Sequence, residues 1–315
     1  MQAGIDSALT APDYKGLYPE PSFSGVQSFY RRRYAKDLVG VDLAVAGFPL
    51  DVTVTNRPGA RFGPEAIRRA SSILSWDAPW PWERNPFDSL AVADCGDCLL
   101  DTGKPESLHA SIRDFARGVL GTAALLGLGG DHYISYPLLE AHAERHGPLG
   151  LLHFDAHSDT WEESPKRSDH GTMFYHAASE GIVDPSRSVQ VGLRTHNTKT
   201  HGFSILDARR VNAANPADTA AEIRRIMGAG PVYLSFDIDC LDPAFAPGTG
   251  TPVCGGLSSS LARDILFRLA GINLVGMDVV EVSPPYDHAQ ITALAGASIA
   301  ADLVCLYAEG KRGGR

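Results

Sequence analysis

Residues 149–163 read LGLLHFDAHSDTWEE, and the reading of this stretch decides the fold. The run from Leu151 to Phe154 is apolar without strict alternation, as expected of a strand buried on both faces of a parallel sheet. It ends on Asp155, His157 and Asp159, with Asp169 and His170 a short way downstream. Charged groups at the end of an apolar strand are costly to desolvate unless something compensates them.

Seven more runs of the same kind lie along the chain: GVDLAVAGFP (40–49), SLAVADCGD (89–97), TAALLGLGG (122–130), SVQVGLR (188–194), GFSILDA (202–208), PVYLSFDIDC (231–240) and INLVGMDVVEV (272–282). Helix-forming stretches separate them at 63–74, 105–120, 217–228 and 258–271. The first carries Pro64 at a helix start, and the last closes on Gly271. Strand–helix alternation predicts an α/β protein: a three-layer α/β/α sandwich around a mostly parallel eight-stranded sheet. With no repeat and no long linker, the expected organisation is an irregular arm over 1–35, one domain over 36–310 and a frayed tail over 310–315. The aromatic and basic arm segment 18–34 has two open readings, packing on a neighbouring subunit or on its own chain.

Twenty-eight Lys and Arg against 37 Asp and Glu leave 315 residues with a formal net charge of −9. That balance argues against a nucleic-acid partner and suits a small cation. No apolar run of membrane-spanning length stands out, and the N-terminal MQAGIDSALTAPDYKG has no secretory pattern, so a soluble, cytoplasmic protein is expected. Five scattered cysteines are no disulfide framework. Cys95 and Cys98 form a single CxxC, read as small thiols at a strand end rather than as a redox pair or half a zinc site.

In such sheets ligands bind beyond the carboxyl ends of the strands. There this chain places Asp131 and His132 after two glycines, then Asp155, His157 and Asp159, then Asp237, Asp239 and Asp242, and finally Glu281. Singly, each cluster has an ordinary explanation as a turn or a cap. If the two Asp-rich strand ends are neighbours, four carboxylates converge in one partly buried pocket, where like charges raise one another's pKa and two divalent cations would neutralise them. Carboxylates with some imidazole and no thiolate favour Mn²⁺ or Mg²⁺ over zinc. Two such ions can activate a shared water.

GGDH (129–132), DAHSD (155–159) and SFDIDCLDPAFAPGTGTP (235–252), with RPGARFGPEAIR (57–68) and MDVVEVSPPYD (277–287), resemble the signature segments of the ureohydrolases, the arginase and agmatinase superfamily. The resemblance implies an arginase-like fold with two Mn²⁺ per subunit. One would be held by His132, Asp155, Asp159 and Asp237, the other by Asp155, His157, Asp237 and Asp239. It further implies Glu281 as the carboxylate that holds the guanidinium, Asp159 as a proton carrier to the leaving amine, and His170 as a proton shuttle. A homo-oligomer, trimer or hexamer, is implied as well.

The loop TWEESPKRSDHG (160–171) lacks the Asn-rich pattern of arginases and offers Trp161, Glu162 and Glu163, which suit an ammonium better than a carboxylate. The expected reaction is hydrolysis of agmatine to putrescine and urea. The alternatives are a guanidino acid held by Lys166, Arg167 or Arg194, and a catalytically silent metal-bound relative acting as a binding partner.

Overall fold

The computed structural model describes residues 6–162 and 168–313. Among these described residues nine strands form one sheet: β1 (Arg33–Tyr34), β2 (Leu43–Phe48), β3 (Val92–Asp97), β4 (Ala124–Gly129), β5 (Gly150–Phe154), β6 (Val189–Val191), β7 (Ser204–Leu206), β8 (Val232–Asp237) and β9 (Leu274–Val280). The helices are α1 (Ser7–Thr10), α2 (Gly63–Ser71), α3 (Leu108–Leu120), α4 (Ser135–His146), α5 (Met173–Ser179), α6 (Ala208–Ala213), α7 (Pro216–Met227), α8 (Ser259–Arg268) and α9 (Ile291–Gly313).

All eight expected runs are strands, and the ninth is an addition. β1 has two residues and pairs with the sheet edge at β3, too short to give a periodic signal. Every pairing is parallel, in the order β1-β3-β2-β4-β9-β8-β5-β6-β7. The strands are buried because helices cover both faces. One apolar cluster joins the sheet to α2, α7, α8 and α9, and the other joins it to α3, α4 and α5. This is the three-layer sandwich.

Local chemistry sets the helix starts. Ser258 accepts from the Leu261 amide, and Asn215 from the Ala217 amide ahead of Pro216, each satisfying an orphan donor. α9 carries no amphipathic stripe because it is apolar nearly all round. By length and composition its Ile291–Arg312 stretch is long enough to cross a membrane, contrary to the expectation of no such run; here it is mostly buried, as a core helix packed on α2, α8 and β9. It also continues through Gly313, where a frayed tail was expected.

The segment 18–34 packs on its own chain. Phe29 and Tyr30 join the core, and the Arg31 guanidinium donates to the carbonyls of Val26, Pro21 and Ser24. Arg32 donates to Gly16 and Tyr14 carbonyls and lies over the rings of Phe87 and Tyr18. Cys95 and Cys98 are buried, and burial pushes both thiols up to about 12, so they remain neutral thiols at physiological pH.

Candidate metal centre

The four central neighbours β4, β9, β8 and β5 all end at the same edge of the sheet. Their carboxyl ends deliver His132, Glu281, Asp237 with Asp239, and Asp155 with His157 and Asp159. Nearly all these groups are buried; only His157 is partly exposed.

His132 Nδ1 lies 3.1 Å from Asp155 Oδ2, 3.0 Å from Asp159 Oδ2 and 3.2 Å from Asp237 Oδ2. Yet it has hydrogen-bond geometry to none of them. One N–H cannot serve three oxygens spread around it; a cation among them can serve all four atoms. The opposite side of the ring shows why Nδ1 is the free nitrogen. Ser135 and Tyr233 donate to Asp278 Oδ2, and the Ser235 hydroxyl donates to Asp278 Oδ1 at 2.6 Å. With its proton spent there, Ser235 accepts from His132 Nε2 at 2.7 Å. Nε2 therefore carries the imidazole proton of the neutral ring and Nδ1 carries the lone pair, as a metal ligand requires.

The second group stands beside the first. His157 Nδ1 lies 3.3 Å from Asp155 Oδ1 and 3.1 Å from Asp239 Oδ2. Asp155 thus turns one oxygen to each histidine, the arrangement a bridging carboxylate needs. Backbone amides hold the set in place: Ala156 N donates to Asp239 Oδ1, and Asp239 N to Asp237 Oδ1. Asp159 has φ 53° and Glu281 φ 63°, left-handed conformations uncommon for residues other than glycine.

The electrostatics show the same demand for positive charge. Burial, then Asp239 and Asp155, push the Asp237 carboxyl well above its ordinary range. Against burial, the neighbouring aspartates hold His157 up at about 12 and His132 well above its usual value. Among the described residues no Lys or Arg pairs with this cluster, so without metal it draws protons. The donor set, an imidazole lone pair among hard carboxylate oxygens, fits divalent cations.

Glu281 Oε1 accepts from the His132 amide at 2.9 Å, while buried Oε2 has no hydrogen-bond partner. His170 Nδ1 lies 3.3 Å from Glu281 Oε1, and Nε2 lies 3.0 Å from Thr55 Oγ1. Burial lowers the His170 pKa, but the hydrogen bond and charge of Glu281 outweigh it and hold it at about 9. Thr55 and His170 border a cavity of about 250 Å³ lined also by His157, Asp159, Trp161, Asp169, Thr172, Asp237 and Thr251 among others, and Glu281 lies buried behind His170 rather than in the lining itself. A larger cleft at the amino ends of the strands, around Asp42, Arg145 and Lys311, holds none of the cluster.

The structure does not bring every charged candidate to the site. Glu162 does not line the cavity: it pairs with Lys199 and faces His201 Nδ1 at 3.6 Å. Glu163, Lys166 and Arg167 lie outside the described residues. Arg194 donates to the carbonyls of Val253, Asp239, Cys240 and Leu241 and is committed to bracing that loop. Asp131 and Asp242 are caps, Asp131 for Thr53 and Tyr133, Asp242 for Ala244, Gly255 and Gly256. Sequence reasoning passed over Thr55, His153, Ser235 and Asp278. His153 alone carried a usable signal, two residues before Asp155 and so on the same strand face.

Fold and cluster together define a ureohydrolase-type metal centre. The Arginase family profile matches residues 41–305, and the chain belongs to that family. Within it, the chain is most like agmatinases. It is 52% identical over 312 residues to an agmatinase of Chromobacterium violaceum, covering 98% of this chain and 97% of that one. It is 50% identical to an agmatinase of Neisseria meningitidis serogroup A over 86% of this chain and 88% of the relative. A crystal structure of a hypothetical agmatinase from Burkholderia thailandensis superposes with a TM-score of 0.96 at 52% identity, covering 98% and 99% of the two chains. Proclavaminate amidino hydrolase from Streptomyces clavuligerus follows at 0.87 and 38%, covering 92% and 100%.

Proposed function

We propose that this protein hydrolyses agmatine to putrescine and urea at a centre of two manganese ions. The observation that carries the substrate reading is the cavity lining. Among its described residues it holds Asp159, Asp169, Asp237 and an indole, and no Lys or Arg. Such a pocket favours a substrate with a cation at each end and disfavours a guanidino acid. Arg194, the described candidate for reading a carboxylate, is spent on backbone carbonyls.

His132, Asp155, Asp159 and Asp237 would hold one ion, and Asp155, His157, Asp237 and Asp239 the other. When bound, the pair supplies a water acidic enough to act as nucleophile near neutral pH. The remaining chemistry belongs to the side chains. Glu281 Oε2, buried and unpartnered, accepts N–H bonds from the guanidinium and fixes its plane. Asp159 takes a proton from the attacking water and passes it to the alkyl nitrogen as the C–N bond breaks, so the amine leaves neutral. The fragment left behind is protonated urea, which gives its extra proton to solvent; His170, protonated below about pH 9, gives a proton to the freed amine and is reprotonated from solvent through the cavity mouth. Trp161, about half exposed at the rim, offers its face to the distal ammonium.

Manganese is preferred to zinc because the donor set is carboxylate-rich and lacks thiolate. A cytoplasmic setting is supported by the absence of disulfides, all five cysteines being free. A homo-oligomer remains part of this reading by family resemblance.

The test is urea release from the Mn²⁺-loaded protein with agmatine, arginine, 4-guanidinobutyrate and 3-guanidinopropionate. Agmatine preferred over the acids by at least about 1.4 kcal/mol in kcat/KM, a factor of ten, is the expected result. Preference for a guanidino acid would overturn the substrate reading and leave the metal chemistry standing.

A further inference from the structure

His153 stands outside the ligand set that the sequence suggests. Even so, one ring nitrogen of His153 and ligand atoms of His132, Asp155 and Asp159 all lie within 4.8 Å of one another. By distance alone it would be a third imidazole ligand. The hydrogen bonds decide otherwise. The Gln190 amide nitrogen donates to the Ser158 carbonyl at 2.6 Å, which fixes which end of that amide is nitrogen; the reverse would press two oxygens together. Its other N–H points to His153 Nδ1 at 3.0 Å. An Nδ1 that accepts carries no proton, so the ring proton is on Nε2. Nε2 gives it to Asp155 Oδ2 at 2.7 Å. A nitrogen donating a proton to a carboxylate has no lone pair to offer a metal.

The fold prepares this arrangement. His153 on β5 and Gln190 on β6 are register partners on adjacent parallel strands. Both are buried, and the His153 ring is wedged edge-to-face against Phe174 with centroids 4.6 Å apart. Neither side chain can swing away without opening the core.

We propose that Ser158, Gln190 and His153 form a relay that positions Asp155. The relay pins Asp155 Oδ2 on the His132 side and leaves Oδ1 facing His157, so that one carboxylate serves both metal positions. Gln190 keeps His153 a donor and out of the coordination sphere. His153 is a positioning residue. This inference rests on the metal reading given above, but it does not depend on which guanidino compound is the substrate.

The experiment is manganese binding to metal-depleted protein by calorimetry, with the electron paramagnetic resonance spectrum reporting whether two ions are exchange-coupled. His153→Gln keeps an N–H close to the Nε2 position, whereas His153→Leu fills a similar volume without a donor. Two equivalents and a coupled spectrum are expected for the wild type and for His153→Gln. His153→Leu is expected to bind at least one equivalent about 10- to 100-fold more weakly and to lose the coupled signal. Unchanged binding in His153→Leu would overturn the relay and leave His153 as packing. Loss of an equivalent in His153→Gln would overturn it by making His153 a ligand, and that arm decides even if His153→Leu does not fold. A wild-type chain that binds no manganese would overturn the metal reading and the relay with it.

Discussion

Asp94 on β3 and Asp237 at the end of β8 are both buried carboxylates of the same sheet, with different counter-charges. Asp94 receives Arg68 Nε and Nη2 at 2.8 and 3.1 Å, and the amides of Phe29 and Gly96 as well. Asp302 on α9 is served in the same way by Arg263 and the Trp82 indole. Around Asp155, Asp159, Asp237 and Asp239 no arginine or lysine approaches among the described residues; the nitrogen groups within 4 Å are the imidazoles of His132 and His157 at the cluster and of His153 beside it. The chain thus supplies its own cation where a carboxylate ties helices and the arm together, and leaves the charge uncompensated where an outside cation is to bind. Breaking the first kind of site should cost stability, and breaking the second should cost chemistry.

The largest effect is expected from removing metal. Chelation should reduce urea release about a thousandfold or more, the several kcal/mol that metal activation supplies, with far-ultraviolet circular dichroism retained. Next, His170→Asn should keep both metals and lower kcat by about 10²–10⁴-fold. The wild-type rate should fall as pH rises through about 9, where His170 loses its proton, and the variant's pH profile should lack that limb.

The arginine sites should respond in stability. Arg68→Met strands Asp94 without its partner, and denaturant unfolding should show a loss of about 3–5 kcal/mol that added manganese does not recover. Asp237→Asn should do the reverse. Its carboxyl is held well above the ordinary range by burial, Asp239 and Asp155. Metal-free protein therefore keeps that group's contribution below about pH 4 and loses it as pH rises toward the folded value. The amide removes this slope, so metal-free Asp237→Asn should melt no lower than metal-free wild type at pH 7, while failing to hold metal. The smallest effect is expected at Glu162, exposed and paired with Lys199 outside the cavity. Glu162→Gln should change kcat/KM for agmatine by less than about twofold, as an exposed ion pair implies.

The legible parts of this molecule are those with short-range signals. Eight strands show as apolar runs, and the candidate ligands show because Asp and His at the end of an apolar strand are conspicuous. β1 escapes because two residues have no period, and α9 because a helix apolar on every side has no stripe. His153, Ser235 and Asp278 read as ordinary strand residues; their role arises only when neighbouring strands set Ser235 beside Asp278 and His153 beside Gln190. Thr55 meets His170 across 115 residues of chain with no local cue. Glu162 misled because a charge near a site says nothing about which way its side chain turns.

The most direct test of the central claim is the number of divalent ions bound per chain, counted in metal-depleted protein titrated with Mn²⁺ while urea release from agmatine is followed in the same samples. Two equivalents per chain are expected, with full activity reached only as the second fills. Full urea release in the metal-free protein, or saturation at a single equivalent with full activity, would contradict it.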